Sequence, residues 1–290
     1  MLSDATRNNA FLITTAELHA ELRRPDLRVF DTTVLMTRQS GKYEIRSGYD
    51  NYCAQHIPGA GFLDLIAEFA DTRHKLNFML PPAEQFATAM SSHGVGPDSH
   101  VVLYNAGPTW WSTRMFFMLR EFGFDRVQVL DGGLDKWRAE GSAVSSESCH
   151  YPSTTFVAGQ RRSIFVDREA VLRAVHNRDR HLLHALAPEV FRGEVVPYGR
   201  PGRIAGSVNV SALDLLDPEN QAFLSPARLR ARLDAAGVLD GKPAITYCGG
   251  GISATTDAFA LLLLGRDDVQ IYDASMTEWG PDAGLPMETG

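Results

Sequence analysis

Short apolar runs alternate with longer, largely apolar stretches along the chain, and this alternation predicts its secondary structure. In the first half, residues 27–31, 101–104 and 127–130 are brief and rich in Val and Leu, which is typical of buried strands. Residues 113–122 are apolar on most faces and are followed by Gly123, as expected for a helix that ends there.

The second half repeats this order. The pattern predicts strands over 244–247 and 269–272, with a helix over 253–264 between them. Strands that alternate with helices favour a mainly parallel sheet with helices on both faces. We therefore expect an α/β protein.

An internal repeat relates the two halves. The segment from Val127 to Trp137 is similar to the segment from Val269 to Trp279, with Asp131 and Trp137 matched by Asp273 and Trp279. Upstream, Val101–Asn105 aligns with Ala244–Cys248, and His56–Ala60 with Arg203–Ser207. The order is kept throughout, which indicates two copies of one module.

The boundary is predicted in a stretch that is rich in Ser and Thr, contains Pro152 and has no sustained apolar period. We expect an N-terminal domain over 11–141, a linker over 142–163 that follows the surface, and a C-terminal domain over 164–288.

Composition excludes several classes of protein. The chain has 290 residues and a formal net charge of −7, which disfavours nucleic-acid binding. The apolar run that ends with Leu261–Leu264 is too short to span a bilayer, and the polar stretch Met1–Ala10 has no apolar core of a secretory signal. The cysteines Cys53, Cys149 and Cys248 form no disulfide framework, so we expect a cytoplasmic protein.

The most informative segment is the loop that begins at Cys248. A strand leads into it, three glycines follow (Gly249, Gly250 and Gly251), and a helix leaves it. Such a turn can point its main-chain N–H groups inward, and the helix start adds a positive dipole end. We expect this loop to hold Cys248 as a thiolate and to accommodate a persulfide or a substrate oxyanion.

A free cysteine at a strand end can also be a small buried hydrophobe. The glycine-rich turn favours the chemical interpretation for Cys248. Cys53 and Cys149 have no such surroundings, and we expect them to be structural.

These motifs, in this order and duplicated, resemble the tandem-domain rhodanese family, which includes thiosulfate and 3-mercaptopyruvate sulfurtransferases. The markers are His56–Ala60, Leu130–Gly133 with Trp137, the Cys248 loop, and Tyr272–Ser275 with Trp279, and the likeness covers residues 11–288. The resemblance implies two rhodanese-like domains, of which the C-terminal one is catalytic. Asn105 stands where Cys248 stands in the second copy, so the N-terminal domain is expected to be inactive.

The resemblance also implies the reaction. The active cysteine of such enzymes takes sulfane sulfur from a small anionic donor, becomes a persulfide, and passes the sulfur to cyanide or a thiol. No cofactor, metal, nucleic acid or membrane partner is expected.

Substrate contacts are expected from three places. The cradle of the C-terminal domain comprises Gly249, Gly250, Gly251, Ile252, Ser253 and Ala254. Members of the family line the cleft with aromatic residues of the inactive copy, and Trp110 and Trp111 occupy that place, although adjacent tryptophans before a helix are equally suited to a core. The hydroxyl of Ser253 is suited to bond the persulfide and to cap the helix, two compatible roles, and His56 either holds its own turn or reaches the cleft.

The sulfur donor is an anion, so a basic side chain is expected to bind it. The thiosulfate branch of the family has basic residues directly after the cysteine, where this chain has Gly249 and Gly250. The mercaptopyruvate branch has Gly, then Ser or Thr, then Gly, and Gly250 lacks that hydroxyl. Val190 replaces the family's substrate-binding arginine, and Arg192, Arg200 and Arg203 are candidates to replace it, or else surface residues. The sequence favours 3-mercaptopyruvate slightly over thiosulfate.

Two rival functions follow from the same loop. A cysteine phosphatase needs an arginine as the sixth residue after the cysteine, and Ala254 stands there. A sulfur-binding or regulatory rhodanese module without turnover is the second, because the substrate-binding arginine is missing at Val190.

Overall fold

The computed structural model describes residues 10–39 and 42–290, and the predicted polar N-terminus lies, through Asn9, outside them. The described chain divides into two compact units. The first unit contains residues up to 162 together with 218–222, and the second contains 163–217 and 223–290. No helix of the described ranges is long and apolar enough to cross a membrane.

The first unit is built on a five-stranded parallel sheet in the order β1-β7-β6-β2-β5. An antiparallel hairpin, β3-β4, stands apart from this sheet. The strands of the first unit are β1 Leu12–Ile13, β2 Leu27–Asp31, β3 Val34–Gln39, β4 Lys42–Ser47, β5 Gly61–Phe62, β6 His100–Tyr104 and β7 Val127–Leu130. Its helices are α1 Thr15–Glu21, α2 Tyr49–Ala54, α3 Ala83–Ser92, α4 Trp110–Glu121 and α5 Gly133–Ala139.

The second unit repeats this design. Its parallel sheet has the order β11-β9-β12-β13-β8, and a two-stranded antiparallel ribbon, β10-β14, accompanies it. Its strands are β8 Phe165–Val166, β9 His181–His184, β10 Arg203–Ile204, β11 Val208–Asn209, β12 Ala244–Tyr247, β13 Val269–Tyr272 and β14 Met287–Glu288. Its helices are α6 Arg168–Asn177, α7 Pro188–Arg192, α8 Pro226–Ala235, α9 Ala254–Leu263 and α10 Ser275–Trp279, with a 3₁₀ helix over Ala212–Leu215.

The predicted parallel sheets and their strands are confirmed. β12 and β13 have the predicted bounds, and α9 differs by one residue at each end from the prediction. All four residues of β12 and all ten of α9 are buried, because the middle of a parallel sheet is covered on both faces. The loop that joins β12 to α9 therefore lies between two fully buried elements of the second unit.

Of the predicted linker 142–163, residues 142–162 are part of the first unit and Ser163 begins the second. Ser145 pairs with His56 in an isolated bridge, and the Tyr151 hydroxyl donates to the carbonyl of Gly59 at 2.7 Å. Further along, the N–H of Phe156 donates to Ser91 Oγ at 2.9 Å. This segment is fastened along the surface of the first unit.

Candidate active site

Cys248 lies at the carboxyl end of β12, the central strand of the second sheet. Its side chain is 2 % exposed, and Sγ accepts a hydrogen bond from the N–H of Ile252 at 3.2 Å. The loop thus turns back on the sulfur within four residues. A main-chain N–H directed at sulfur stabilises the negatively charged form, as the sequence predicts for this loop.

The hydroxyl of Ser275 holds the loop in this shape. It accepts the N–H groups of Cys248 at 3.0 Å and of Gly251 at 3.1 Å, and it donates to the carbonyl of Tyr272 at 2.7 Å. Ser275 has φ +49°, a conformation that is costly for a residue other than glycine. We attribute its presence to the three hydrogen bonds, which a glycine would not make.

A second brace acts on the carbonyl of Gly249. The N–H of Thr277 donates to it at 2.8 Å and the Thr277 hydroxyl at 2.6 Å. The N–H of Met276 donates to the carbonyl of Cys248 at 3.1 Å. With the carbonyls of Cys248 and Gly249 bound to the start of α10, these oxygens are turned toward that helix.

Four N–H groups of the loop donate no hydrogen bond within the described part of the chain. They belong to Gly249, Gly250, Ser253 and Ala254. The last two begin α9, a ten-residue helix whose dipole is positive at this end. Unpaired N–H groups beside a helix start form a site for an anion.

The open side of the loop is at Gly250 and Ser253. Both are partly exposed, whereas Cys248, Gly249, Gly251, Ile252 and Ala254 are buried. Ser253 makes no side-chain capping bond to α9, so the capping alternative for its hydroxyl is wrong. The contact of this hydroxyl with the persulfide stays a prediction.

A buried carboxyl lies in the first turn of α9. Asp257 is fully buried, and neither of its side-chain oxygens has a hydrogen-bond partner among the described residues. Burial raises its pKa well above the usual range, and the charges of Cys248 and Asp214 raise the pKa further. Asp257 is therefore held in its neutral form beside the active-site loop.

The corresponding loop of the first unit differs in the main-chain groups that surround its residue 105 side chain. Asn105 Nδ2 donates to the carbonyls of Ala106 at 2.8 Å and Pro108 at 2.8 Å. The N–H of Ala106 is taken by Thr33 Oγ1, and that of Gly107 by Asp135. The Asn105 side chain thus faces these two carbonyls, and one main-chain N–H, that of Ser112, donates to its Oδ1 at 3.1 Å.

The two tryptophans before α4 differ in burial. Trp111 is 2 % exposed and packs on Phe78, with ring centroids 5.1 Å apart. The core alternative describes Trp111, which is enclosed in the first unit and not open to a substrate. Trp110 is partly exposed, so its contact with substrate stays a prediction.

Arg200 is a structural residue and not an open cation. Its Nε donates to the carbonyl of Gly280 at 2.7 Å, Nη1 to Leu285 at 3.0 Å and Nη2 to Trp279 at 3.1 Å. All three nitrogens are engaged with main-chain oxygens, which corrects the prediction that Arg200 contacts substrate.

The other two arginines already have acidic partners. Arg192 forms a two-bond pair with Glu194, at 2.6 Å and 3.0 Å. Arg203 stacks on the Phe191 ring at 4.2 Å and lies 3.7 Å from Glu288. Each has to share its charge with a carboxylate, so their substrate contacts stay predictions with a weaker physical basis.

The repeated tryptophans and His56 are scaffold residues. Trp137 Nε1 donates to the carbonyl of Ala143 at 2.8 Å, and Trp279 Nε1 to that of Pro286 at 3.1 Å. His56 is fully buried with both ring nitrogens near main-chain carbonyls, of Tyr52 at 2.7 Å and Glu147 at 3.0 Å. This agrees with the structural alternative for His56.

Sequence reasoning missed the roles of Ser275, Thr277, Asp257 and Tyr198, the last of which is described below. A signal for Ser275 was present in the repeat. Gly133 is its counterpart and also has a positive φ, +56°, so a serine in that position of the reactive copy required a compensating function.

The comparison with known families decides the identity of this fold. The family model described as "Rhodanese-like domain" matches residues 14–140 and 178–282. The chain belongs to the rhodanese family. This rhodanese is 32 % identical over 267 residues to the 3-mercaptopyruvate sulfurtransferase of Escherichia coli K12, covering 91 % of this chain and 92 % of that protein.

Relatives of both branches are similar to the chain. The thiosulfate sulfurtransferase of Bos taurus is 35 % identical over 261 residues, covering 88 % of this chain and 85 % of that protein. The crystal structure of the 3-mercaptopyruvate sulfotransferase SseA from Escherichia coli superposes with a TM-score of 0.82 at 29 % identity. That match covers 92 % of this chain and 98 % of SseA. The chain is a sulfurtransferase, an enzyme that acts on a small-molecule sulfur donor and acceptor, and the alternative without turnover is wrong.

Proposed function

We propose that Cys248 carries the transferred sulfur as a persulfide, and that 3-mercaptopyruvate is the preferred sulfur donor. The observation that supports this most directly is the loop geometry. The N–H of Ile252 points at Sγ, and four further N–H groups of the loop have no partner in the described chain. These groups suit an anionic sulfur at residue 248.

The first half-reaction follows from this placement. The thiolate of Cys248 attacks the thiol sulfur of 3-mercaptopyruvate, an S–S bond forms, and the carbon–sulfur bond of the donor breaks. The electron pair of that bond stays on carbon, which takes up the proton of the donor thiol and leaves as pyruvate. The enzyme is left with Cys248–S–S⁻, whose outer sulfur the loop N–H groups stabilise.

The second half-reaction returns the enzyme to its starting state. A thiolate or cyanide attacks the outer sulfur, a bond from the acceptor to that sulfur forms, and the S–S bond of the persulfide breaks. The electron pair returns to Cys248, which is again a thiolate. No oxidant or reductant is required.

The preference for 3-mercaptopyruvate rests on charge. The loop offers main-chain N–H groups, and the nearby Arg200 is bound to three carbonyls. Thiosulfate carries two negative charges, and without a fixed cation its transfer from water is unfavourable. A donor with one carboxylate needs less compensation.

The test is a side-by-side assay of both donors with cyanide and with a thiol acceptor. We expect Cys248→Ser to lower turnover by about a thousandfold or more, because a hydroxyl cannot form a persulfide. Cys53→Ser and Cys149→Ser are the matched controls and should retain activity within about twofold.

Intact-mass measurement after exposure to donor alone adds an independent readout. Wild type and both control variants should gain one sulfur atom, and Cys248→Ser should gain none. Undiminished turnover in Cys248→Ser would contradict the assignment of the carrier. A higher kcat/KM for thiosulfate than for 3-mercaptopyruvate would contradict the assignment of the donor.

A further inference from the structure

The residue directly after the active-site cysteine has no room for a side chain while the Tyr198 ring keeps its position. A β-carbon on Gly249 would overlap the hydroxyl of Tyr198 and would lie 2.6 Å from its Cζ and 3.1 Å from its Cε1. Gly249 is buried beneath this ring, whereas Tyr198 itself is partly exposed. Tyr198 thus fills the volume that a side chain at position 249 would occupy.

The adjacent glycine is different. A β-carbon on Gly250 would meet only Thr277 Oγ1, at 3.8 Å, which is an ordinary contact. The loop is therefore closed at its first glycine and open at its second. This contrast shows that the closure at Gly249 comes from Tyr198 and not from general crowding of the loop.

The main chain of Tyr198 is fixed on both sides of this contact. Its carbonyl accepts the N–H of Arg200 at 3.2 Å, and Arg200 is bound in turn to the carbonyls of Trp279, Gly280 and Leu285. The main chain at Tyr198 packs closely on Gly280. A β-carbon on Gly280 would lie 3.0 Å from the carbonyl carbon of Tyr198. Thr277 fixes the other side of the contact by binding the carbonyl of Gly249.

We propose that Tyr198 determines which sulfur donor the enzyme accepts, by excluding a charged side chain after Cys248 and offering a phenolic hydroxyl in its place. This inference rests on the proposed role of Cys248. A phenol donates one hydrogen bond to a carboxylate or keto oxygen, which suits a 2-oxo acid donor with a single charge. It carries no charge of its own to offset the second charge of thiosulfate. Specificity then comes from weak binding of thiosulfate as well as from binding of the 2-oxo acid donor.

Tyr198→Phe removes the hydroxyl and keeps the ring, so it is the central variant. We expect kcat/KM for 3-mercaptopyruvate to fall about tenfold or more, with kcat/KM for thiosulfate changed by less than about twofold. Tyr49→Phe is the matched control, since Tyr49 is an exposed tyrosine of the first unit. It should change neither value.

A pair of larger changes tests the exclusion of a cation. Gly249→Arg alone should lose activity with both donors, because the new side chain meets the Tyr198 ring. Tyr198→Ala with Gly249→Arg should restore turnover. It should also raise the ratio of kcat/KM for thiosulfate over that for 3-mercaptopyruvate by about tenfold or more relative to wild type.

The outcomes separate this inference from the proposed function. If wild type transfers sulfur, Cys248→Ser does not, and neither Tyr198→Phe nor the double variant changes the ratio of the two kcat/KM values, the role of Tyr198 is wrong and that of Cys248 stands. If Cys248→Ser keeps full turnover, both fail. Tyr198→Phe keeps the ring that packs on Gly249, so a change in its donor ratio cannot be assigned to loss of the fold.

Discussion

Ser275 and Cys248 are joined by a hydrogen bond from the cysteine N–H to the serine hydroxyl, 3.0 Å long. The same hydroxyl accepts the N–H of Gly251 and donates to Tyr272, so one side chain fixes both ends of the glycine-rich turn. The reactive loop therefore depends on a residue of the following strand–helix junction as well as on its own sequence.

Two substitutions of Ser275 distinguish the effect of its hydrogen bonds from the effect of its strained backbone conformation. Ser275→Ala keeps the unfavourable φ and leaves two N–H groups without their acceptor. We expect it to lower the free energy of unfolding by about 2–3 kcal/mol and to reduce kcat. Ser275→Gly relieves the strain and should recover part of the stability, but not kcat. Denaturant unfolding and steady-state kinetics on both variants measure this, and full activity in Ser275→Gly would exclude a role for the hydroxyl.

The first unit should not become active when a cysteine is introduced. Asn105→Cys in a Cys248→Ser background places a sulfur where the carbonyls of Ala106 and Pro108 point inward, as their bonds to Asn105 show. Carbonyl oxygens repel an anion, so we expect no sulfur transfer and no mass gain after exposure to donor. Alkylation of residue 105 at neutral pH should be at least about tenfold slower than that of Cys248 in wild type. Measurable turnover would show that loop polarity is not the limiting property.

His184 should make the second unit sensitive to acid. Burial lowers the pKa of this imidazole to about 4, and its Nε2 has no partner within the described residues. The native state thus binds fewer protons than the unfolded state between about pH 6.5 and pH 4. The contribution of neutral His184 to the free energy of unfolding is fully present above pH 6.5. It is lost as the pH falls through this window, by roughly 3 kcal/mol in total.

His184→Phe retains the ring contacts with Phe191 and Tyr247 and removes the titrating group. We expect its melting temperature to fall less than that of wild type between pH 7 and pH 4.5. His176→Gln is the control, because His176 is an exposed histidine of the same unit and should leave the pH dependence unchanged. Parallel acid denaturation of His184→Phe and wild type would contradict the assignment.

Asp257 should destabilise the enzyme at neutral and alkaline pH. Its pKa is raised by burial, so the native state keeps a proton that the unfolded state has lost above about pH 4. Asp257→Asn preserves the shape without that proton, and we expect it to raise the free energy of unfolding at pH 8. The gain should vanish below pH 4, where both states are protonated. A gain that persists at pH 3.5 would indicate better packing instead of proton linkage.

The sequence predicted the sheets and the reactive loop because both depend on local pattern. Strands β12 and β13 read directly from their apolar runs, and the three glycines after Cys248 placed the turn between strand and helix. Tyr198 could not be found in this way, since it lies in a segment without regular structure and contacts a glycine, Gly249, that is remote in the sequence.

Arg200 illustrates the same limit. An arginine near a proposed anion site suggests a substrate contact, but its role depends on which groups surround the guanidinium. Here three carbonyls at the end of α10 and beyond it take up all of its nitrogens. An arginine side chain is chemically suited both to hold main-chain carbonyls and to bind a substrate. Only the three-dimensional structure distinguishes these two roles for Arg200.

The attachment of Arg200 to Trp279, Gly280 and Leu285 links remote parts of the polypeptide. Substitutions in the stretch after α10 can displace the ring over Gly249 without touching any reacting atom. Natural variants of this stretch would then alter the choice of sulfur source while leaving the nucleophile intact, and this tail offers a route for redirecting the enzyme that spares its catalytic centre.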